Sequence, residues 1–476
     1  MRAATLESKE AKMSSTRQET KGPAGACSRR DFLKKSAGAG LGLTISAAAL
    51  SSCRIAPKTV PTAAGLSPAS AARSMKRVRI GFVGVGLQGT SHLENYLKID
   101  NVEVRAVGDI VDWKVARAQK MVEAAGQPKP EGYSRGPTDF LRMCERSDLD
   151  LIITVTPWEW HVPVCLAAMK SGKHAATEVP AAVTLEECWE LVETSEKTGK
   201  YCVMLENCCY SDRALLTLNL VRKGLLGEII NGACGYLHDL REVKFNGKDE
   251  ALWRTAHSVK RNGNLYPTHG LGPVAESMDI NRGDRFDYLG SMSSLGRGLN
   301  LYAAKKFGPS DPRATRRYAL GDVNVSLIRT INGRTITLFH DTNSPRPYSR
   351  IDLVQGTKGI IQGYPDQIYL EGRSPEDQWE TFDPYMKEYR HPLWTEIEAK
   401  ARGAGHGGMD FLEDYRLIDA LVKGRYPDMD VYDAASWSVI SALSEWSVAH
   451  RGKPVDFPDF TGGRWKSNPR IFIVDT

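Results

Sequence analysis

The segment Gly81-Phe82-Val83-Gly84-Val85-Gly86-Leu87-Gln88-Gly89 constrains this chain more than any other. An apolar run from Val78 to Val83 reads as a buried strand. It feeds a G-x-G-x-x-G turn that opens onto a helical stretch, Ser91 to Lys98. Strand, glycine turn and helix in that order form a dinucleotide fingerprint. Gly84 permits the tight turn, Gly86 lets the backbone approach a pyrophosphate, and Gly89 lets helix and strand pack closely. The phosphates then face the helix N-terminus. A second strand, Val102 to Val107, ends at Asp109, where a carboxylate can grip ribose hydroxyls and repel a 2′-phosphate. NAD, rather than NADP, is the expected cofactor.

The alternation of strands and helices continues to Leu205. Lys114 to Ala125 reads as a helix stopped by Gly126, and Leu151 to Thr156 as a β-branched run buried on both faces. Helices at His161–Ser171 and Leu185–Thr198 flank short strands at His174–Glu178 and Tyr201–Leu205. After Glu206 longer strand-like runs appear: Ile229–Tyr236, Leu289–Leu295, Asn324–Ile331, Thr335–His340 and Ile351–Gln355. Helices are expected at Leu215–Lys223, Asp410–Lys423 and Ala434–Arg451. The expected fold is α/β: a doubly wound Rossmann domain over residues 76–205, then an α+β domain over 206–476 with an open, mostly antiparallel sheet.

The 476 residues carry a net charge of +6, but its location matters. Residues 1–53 hold nine Lys or Arg against four Asp or Glu, which is five of the six net charges. The remainder is near neutral and lacks a basic patch with interleaved aromatics, so nucleic acid is not an expected partner. Within residues 1–53, Ser28-Arg29-Arg30-Asp31-Phe32-Leu33-Lys34 resembles a twin-arginine export signal. A mild apolar stretch, Ala37 to Leu50, follows and ends in Leu50-Ser51-Ser52-Cys53, which resembles a bacterial lipobox. The expected location is the periplasm or cell envelope, with a lipid anchor at Cys53 and a linker over 54–75. A plain signal cleaved later in the linker is the alternative. No other run approaches the roughly 20 apolar residues of a membrane span. The scattered cysteines predict free thiols, including the adjacent Cys208 and Cys209. No H-x-x-x-H or Cys/His cluster predicts a metal.

This organisation resembles the glucose–fructose oxidoreductase and inositol dehydrogenase superfamily. Four further segments narrow the likeness: Trp158-Glu159-Trp160-His161, Leu205-Glu206-Asn207-Cys208-Cys209-Tyr210, Tyr266-Pro267-Thr268-His269-Gly270-Leu271-Gly272-Pro273 and Ala404-Gly405-His406-Gly407-Gly408-Met409-Asp410. In that order they resemble the NAD-dependent α-N-acetylgalactosaminidases over roughly Arg77 to Lys466. The resemblance implies cofactor contacts at Leu87, Gln88, Asp109, Trp158, Glu159, Trp160, His161, Glu178, Val179 and Asn207. It implies sugar contacts at Tyr236, Arg254, Tyr266, Pro267, Thr268, His269 and Tyr348. Related dehydrogenases usually carry Glu-Lys-Pro where this chain has Glu178-Val179-Pro180, which counts against an ordinary dehydrogenase.

The implied reaction hydrolyses terminal α-linked N-acetylgalactosamine through oxidation, elimination, hydration and reduction, with no net redox change. It needs a base titrating near neutrality, and His269 is the first choice. Tyr210 is the expected partner, as acid or orienting group. Bland roles compete at each position. His269 also suits a turn backbone group, Tyr210 a core ring, Arg254 a surface ion pair, Trp158 and Trp160 core packing, and His406 a glycine loop. Two other functions stand beside the glycosidase: an exported NAD-dependent sugar oxidoreductase, and a sugar-binding lipoprotein with a vestigial nucleotide site. A small molecule or glycan is the expected partner, with homo-oligomerisation possible.

Overall fold

Continuous apolar runs with helices between them can bury both faces of a sheet, and the computed structural model builds one. It describes residues 73–470 apart from Asp249. The first sheet contains β1 (Val78–Val83), β2 (Val102–Gly108), β3 (Glu131–Tyr133), β4 (Leu151–Thr154), β5 (His174–Thr177) and β6 (Cys202–Met204). Their order is β3-β2-β1-β4-β5-β6, and every pair is parallel. Strand order switches direction between β1 and β4, which opens a ligand crevice at the carboxyl ends of the strands. Strands β4 and β5 are buried along their whole length.

Helices α1 (Leu87–Tyr96), α2 (Asp112–Ala124), α3 (His161–Lys170) and α4 (Leu185–Thr198) cover this sheet. Helix α4 has the bounds expected from sequence. A Thr184–Glu187 capping box starts it, and Gly199 in the left-handed region ends it. Helix α1 starts four residues before the expected Ser91, inside the glycine turn itself. No side chain caps it, so its first amides remain available to an anion.

The second sheet has eight strands: β7 (Ile229–Leu237), β8 (Phe286–Ser293), β9 (Val323–Thr330), β10 (Thr335–Asp341), β11 (Leu353–Gly356), β12 (Gly359–Gln362), β13 (Gln367–Leu370) and β14 (Val455–Asp456). Their order is β13-β12-β11-β7-β10-β9-β8-β14. Only the β7–β10 pair is parallel. Helices α5 (Asp212–Arg222), α6 (Ala251–Lys260), α7 (Thr268–Ser277), α8 (Met409–Lys423), α9 (Val431–Ser438) and α10 (Ile440–Ala449) position the site. The single late helix expected at 434–451 is two. Asp430 and Asp433 form a capping box that starts α9 early, and Val439 separates it from α10. Helix α7 packs on β7, and α8 packs on α1, tying the two sheets' layers together. All seven described cysteines are buried free thiols. No described helix is long and apolar enough to cross a membrane. The export and lipidation segments lie outside the described residues.

Candidate functional site

The glycine turn has the geometry its sequence requires. Gly84 adopts φ +89°, and a Cβ at Gly89 would stand 2.1 Å from the Gly84 carbonyl oxygen. At Gly86 a Cβ would meet only Lys114 Nζ, at 3.6 Å. That open space, bordered by a cation and uncapped helix amides, fits a pyrophosphate. Asp109 leaves the end of β2 beside the turn. Its Oδ2 accepts from the Val85 amide at 3.1 Å, and its Oδ1 from Val111 at 3.0 Å. Leu87, Ile110 and Trp113 are 70 %, 68 % and 60 % exposed. Three large apolar side chains in water around an acid suit a covering ring ligand. Ile110, Trp113 and Lys114 all lie within five residues of Asp109 but stand outside the fingerprint pattern, so the residues alone do not mark them.

The other expected cofactor positions divide. Glu178 Oε1 lies 2.9 Å from His92 Nε2, and its Oε2 accepts from the Val179 amide at 3.0 Å. Burial opposes its charge, yet His92 holds its pKa below the ordinary carboxylate range. Asn207 Nδ2 donates to Asp410 Oδ1 at 2.6 Å. Glu159 is exposed on one side of the site, 4.0 Å from His257. The Trp160 ring packs edge-on against Phe140. His161 is buried, with Nδ1 2.8 Å from the Pro180 oxygen and Nε2 2.9 Å from the Thr156 oxygen. Burial lowers its pKa. Both ring nitrogens are occupied by the loops after β4 and β5, so His161 acts by holding those loops. Trp158 turns the other way, stacking on Tyr266 at 5.6 Å and touching Trp253 and His257.

His269 is the second residue of α7. Its Nδ1 lies 2.7 Å from Oε1 of Glu206, a wholly buried residue that follows β6. A carboxylate only accepts, so Nδ1 carries a hydrogen, and in the neutral ring Nε2 is the nitrogen with the lone pair. The Tyr266 hydroxyl stands 3.4 Å from that Nε2. Tyr236, from β7, packs its ring edge-on to His269, and its hydroxyl lies 3.0 Å from His238 Nδ1. Tyr348 stands edge-on to both Tyr236 and His238. Burial lifts the Tyr266 pKa well above its usual value and that of Tyr236 to about 12, with Arg254 opposing both shifts. Arg254 donates to Glu250 at 2.5 Å and lays its guanidinium 5.2 Å from the Trp158 and Tyr266 rings. The expected ion pair and the aromatic site are therefore both present. Pro267 caps α7, and the buried Thr268 hydroxyl has no hydrogen-bond partner among the described residues.

Tyr210 is a correction. Its hydroxyl donates to Asp428 Oδ2 at 3.1 Å, beside Arg416. Burial raises its pKa well above the usual value. This is the contact of a core ring, and the tyrosine hydroxyl beside His269 Nε2 belongs to Tyr266. Glu206 was missed as an orienting group, although an acid at the end of a parallel strand had already marked Asp109. Glu206, Cys208 and His269 bring possible ligand atoms within 4.8 Å, as do His92, Glu413 and Asp414. The sequence separation of both groups hid them. Arg350 Nη1 donates to the Cys208 sulfur at 3.0 Å, and that guanidinium disfavours a second cation there.

An open crevice at the switch of a parallel sheet, with a histidine–carboxylate pair that joins helix α7 to the segment after β6, defines an enzyme on an NAD-dependent oxidoreductase framework. The family description "Oxidoreductase family, NAD-binding Rossmann fold" matches residues 78–206, and "Glycosyl hydrolase 109, C-terminal domain" matches residues 210–467. A glycosyl hydrolase family 109 protein of Solibacter usitatus is 47 % identical over 450 residues, covering 93 % of this chain and 99 % of that protein. An alpha-N-acetylgalactosaminidase of Shewanella oneidensis is 44 % identical over 455 residues, covering 94 % and 98 %. Among solved structures, a levoglucosan dehydrogenase complexed with NADH and levoglucosan superposes with a TM-score of 0.63 at 18 % identity, covering 80 % of this chain and all of that one. An inositol dehydrogenase homolog complexed with NAD+ from Azotobacter vinelandii gives 0.61 at 19 % identity, covering 82 % and 99 %. These two likenesses speak to the fold. The chain belongs to glycoside hydrolase family 109, and it is a glycoside hydrolase with an NAD-binding domain.

Proposed function

We propose that this glycosidase removes terminal α-linked N-acetylgalactosamine by an oxidation–elimination–hydration–reduction route. The carrying observation is His269, whose Nε2 is left basic by Glu206 and faces the Tyr266 hydroxyl. Ordinary glycosidases present two carboxylates to the scissile bond, with NAD-dependent enzymes a separate group. The name of the Shewanella oneidensis relative supports the choice of sugar.

Residues Gly84, Gly86, Gly89 and Asp109 would hold NAD, which supplies reversible oxidation at the sugar's C3 hydroxyl. A carbonyl at C3 acidifies the C2 hydrogen. His269 Nε2 takes that proton, and Glu206 stabilises the imidazolium that forms. The C1–oxygen bond breaks as the C1–C2 double bond forms, with Tyr266 placed to protonate the leaving oxygen. Water then adds at C1 and its proton restores the Tyr266 hydroxyl, while His269, whose Nε2 proton exchanges with solvent, protonates C2. Tyr236, Tyr348 and Trp158 supply ring faces for the sugar, and Arg254 fixes the aromatic wall.

Turnover of an aryl α-N-acetylgalactosaminide in heavy water, with no NAD added, tests the route. The released sugar is expected to carry deuterium at C2. Unlabelled sugar released at full rate overturns it. The proposal also places the enzyme outside the cytoplasm, supported by the twin arginines Arg29-Arg30 and by Cys53. Changing Cys53→Ser is expected to release a soluble exported form, and a form that stays on the membrane rejects the lipid anchor.

A further inference from the structure

The loop Gly405–Gly408 leads into α8 and belongs to no step above. Within it His406 adopts φ +49° and ψ +40°, a left-handed conformation that costs a non-glycine residue energy. Such a conformation persists where the surroundings hold it. Here the holding group is Asp410, whose Oδ2 and Oδ1 lie 2.8 and 3.1 Å from His406 Nδ1. Asp410 is wholly buried. Its Oδ2 also accepts from Gln88 Nε2 at 3.1 Å, and its Oδ1 from Asn207 Nδ2 at 2.6 Å. Gly405 passes so close that a Cβ there would stand 2.4 Å from Asp410 Oδ2.

One carboxylate thus gathers three donors from three separate segments. Gln88 belongs to the glycine turn and α1, Asn207 follows Glu206, and His406 lies on the late loop. We propose that Asp410, aimed by His406, is a positioning residue for NAD. It orients the two amide side chains, Gln88 and Asn207, that lie at the nucleotide crevice. A carboxylate only accepts, so it fixes which end of each amide faces it. Gln88 Oε1 is turned away from Asp410 and has no hydrogen-bond partner among the described residues. The cofactor group that suits it is a donor, a ribose hydroxyl or carboxamide N–H, rather than a phosphate oxygen. His406 keeps its Nε2 without a hydrogen-bond partner among the described residues, and its ring is half exposed.

The inference depends on NAD occupying the crevice and not on which sugar is cleaved, so its test contains no sugar. The full chain is stripped of cofactor and titrated with NAD, following tryptophan fluorescence, and its melting is recorded before the titration. An asparagine at 410 offers one acceptor oxygen to three donors, so Asp410→Asn is expected to weaken NAD binding on the order of tenfold to a hundredfold. The double variant Asp410→Asn/Gln88→Ala is expected to bind NAD almost as well as Asp410→Asn alone, because the orientation it would disturb is already lost. Strictly additive losses overturn the proposal. So does an Asp410→Asn chain with lowered melting and unchanged NAD affinity. Should that variant fail to fold, His406→Ala leaves the carboxylate in place. It is expected to weaken NAD binding by a smaller factor, and unchanged affinity there overturns the proposal equally.

Discussion

His269 and His92 are both histidines paired with buried carboxylates, and they do opposite things. His269 has Glu206 on one nitrogen, and its other nitrogen faces the Tyr266 hydroxyl. His92 is wholly buried on α1, with Asp414 of α8 at 2.9 Å on Nδ1 and Glu178 at 2.9 Å on Nε2. Asn95 also donates to Asp414. A ring with one nitrogen committed and one free can take a proton from a substrate. A ring with both committed can only hold its neighbours in place. The pairing motif does not decide the role; the second nitrogen does.

The largest effect should come from removing the free nitrogen. His269→Ala is expected to lower turnover roughly 10²–10⁴-fold, the range for a positioned base, while NAD stays bound to the purified chain. Glu206→Gln should lower it in the same direction, because an amide can donate to Nδ1 and leave the hydrogen on Nε2. Steady-state kinetics beside a count of NAD per chain separates chemistry from cofactor loss. A His269→Ala chain with near-normal turnover breaks the comparison at its reactive end.

At the other end, His92→Gln should leave buried carboxylates without their cation. The expected cost is about 3–5 kcal/mol of stability, the range for breaking a buried pair. The pH dependence carries a definite sign. Burial opposes the charge on His92, yet Asp414 and Glu178 hold its pKa well above its ordinary value. Its contribution is therefore fully present below about pH 6.5, the unfolded value, and is lost as pH rises through the raised folded value. Burial also raises Glu413 and Asp414 on the facing helix, which gives the same sign. Asp410 has the opposite sign: burial works against it, but His406 holds it at about 2, so its share is lost only in strong acid. Melting temperatures of the cofactor-free protein and its His92→Gln variant should converge as pH rises from neutral into the alkaline range. A gap that widens over that range rejects the assignment.

Contiguous features are legible in the residues alone. The strand, glycine turn and helix at residues 78–96 announce themselves because their chemistry is local, and so does Asp109 at the end of β2. The Rossmann order and the open antiparallel sheet follow from periodicity. Glu206 beside His269, and Asp410 between Gln88 and Asn207, cannot be read that way, because each pairing joins segments 63 to 322 residues apart. Short strands such as β3 and β14 lack enough residues to show a period. Tyr210 misleads because it adjoins a site motif, while its side chain points into the core toward Asp428.

Tyr210 and Tyr266 repeat the comparison in miniature, with the smallest expected effects. Tyr266 presents its hydroxyl to His269; Tyr210 has committed its own to a carboxylate that Arg416 also holds. Tyr210→Phe removes a hydrogen bond to a charged group, so about 1.5–3 kcal/mol of stability should be lost. Its kcat should stay near that of the wild type, because Asp428 keeps its arginine. Tyr266→Phe should do the reverse. The hydroxyl faces the pocket, so melting should change little, while kcat falls most for substrates with poor leaving groups, which need protonation on departure. An activated aryl leaving group should partly rescue it. Comparing an aryl glycoside with an alkyl glycoside in both variants settles which tyrosine serves the reaction. If Tyr210→Phe shows the leaving-group dependence and Tyr266→Phe does not, the free hydroxyl is the wrong criterion and the acid must be sought on the Asp428 side.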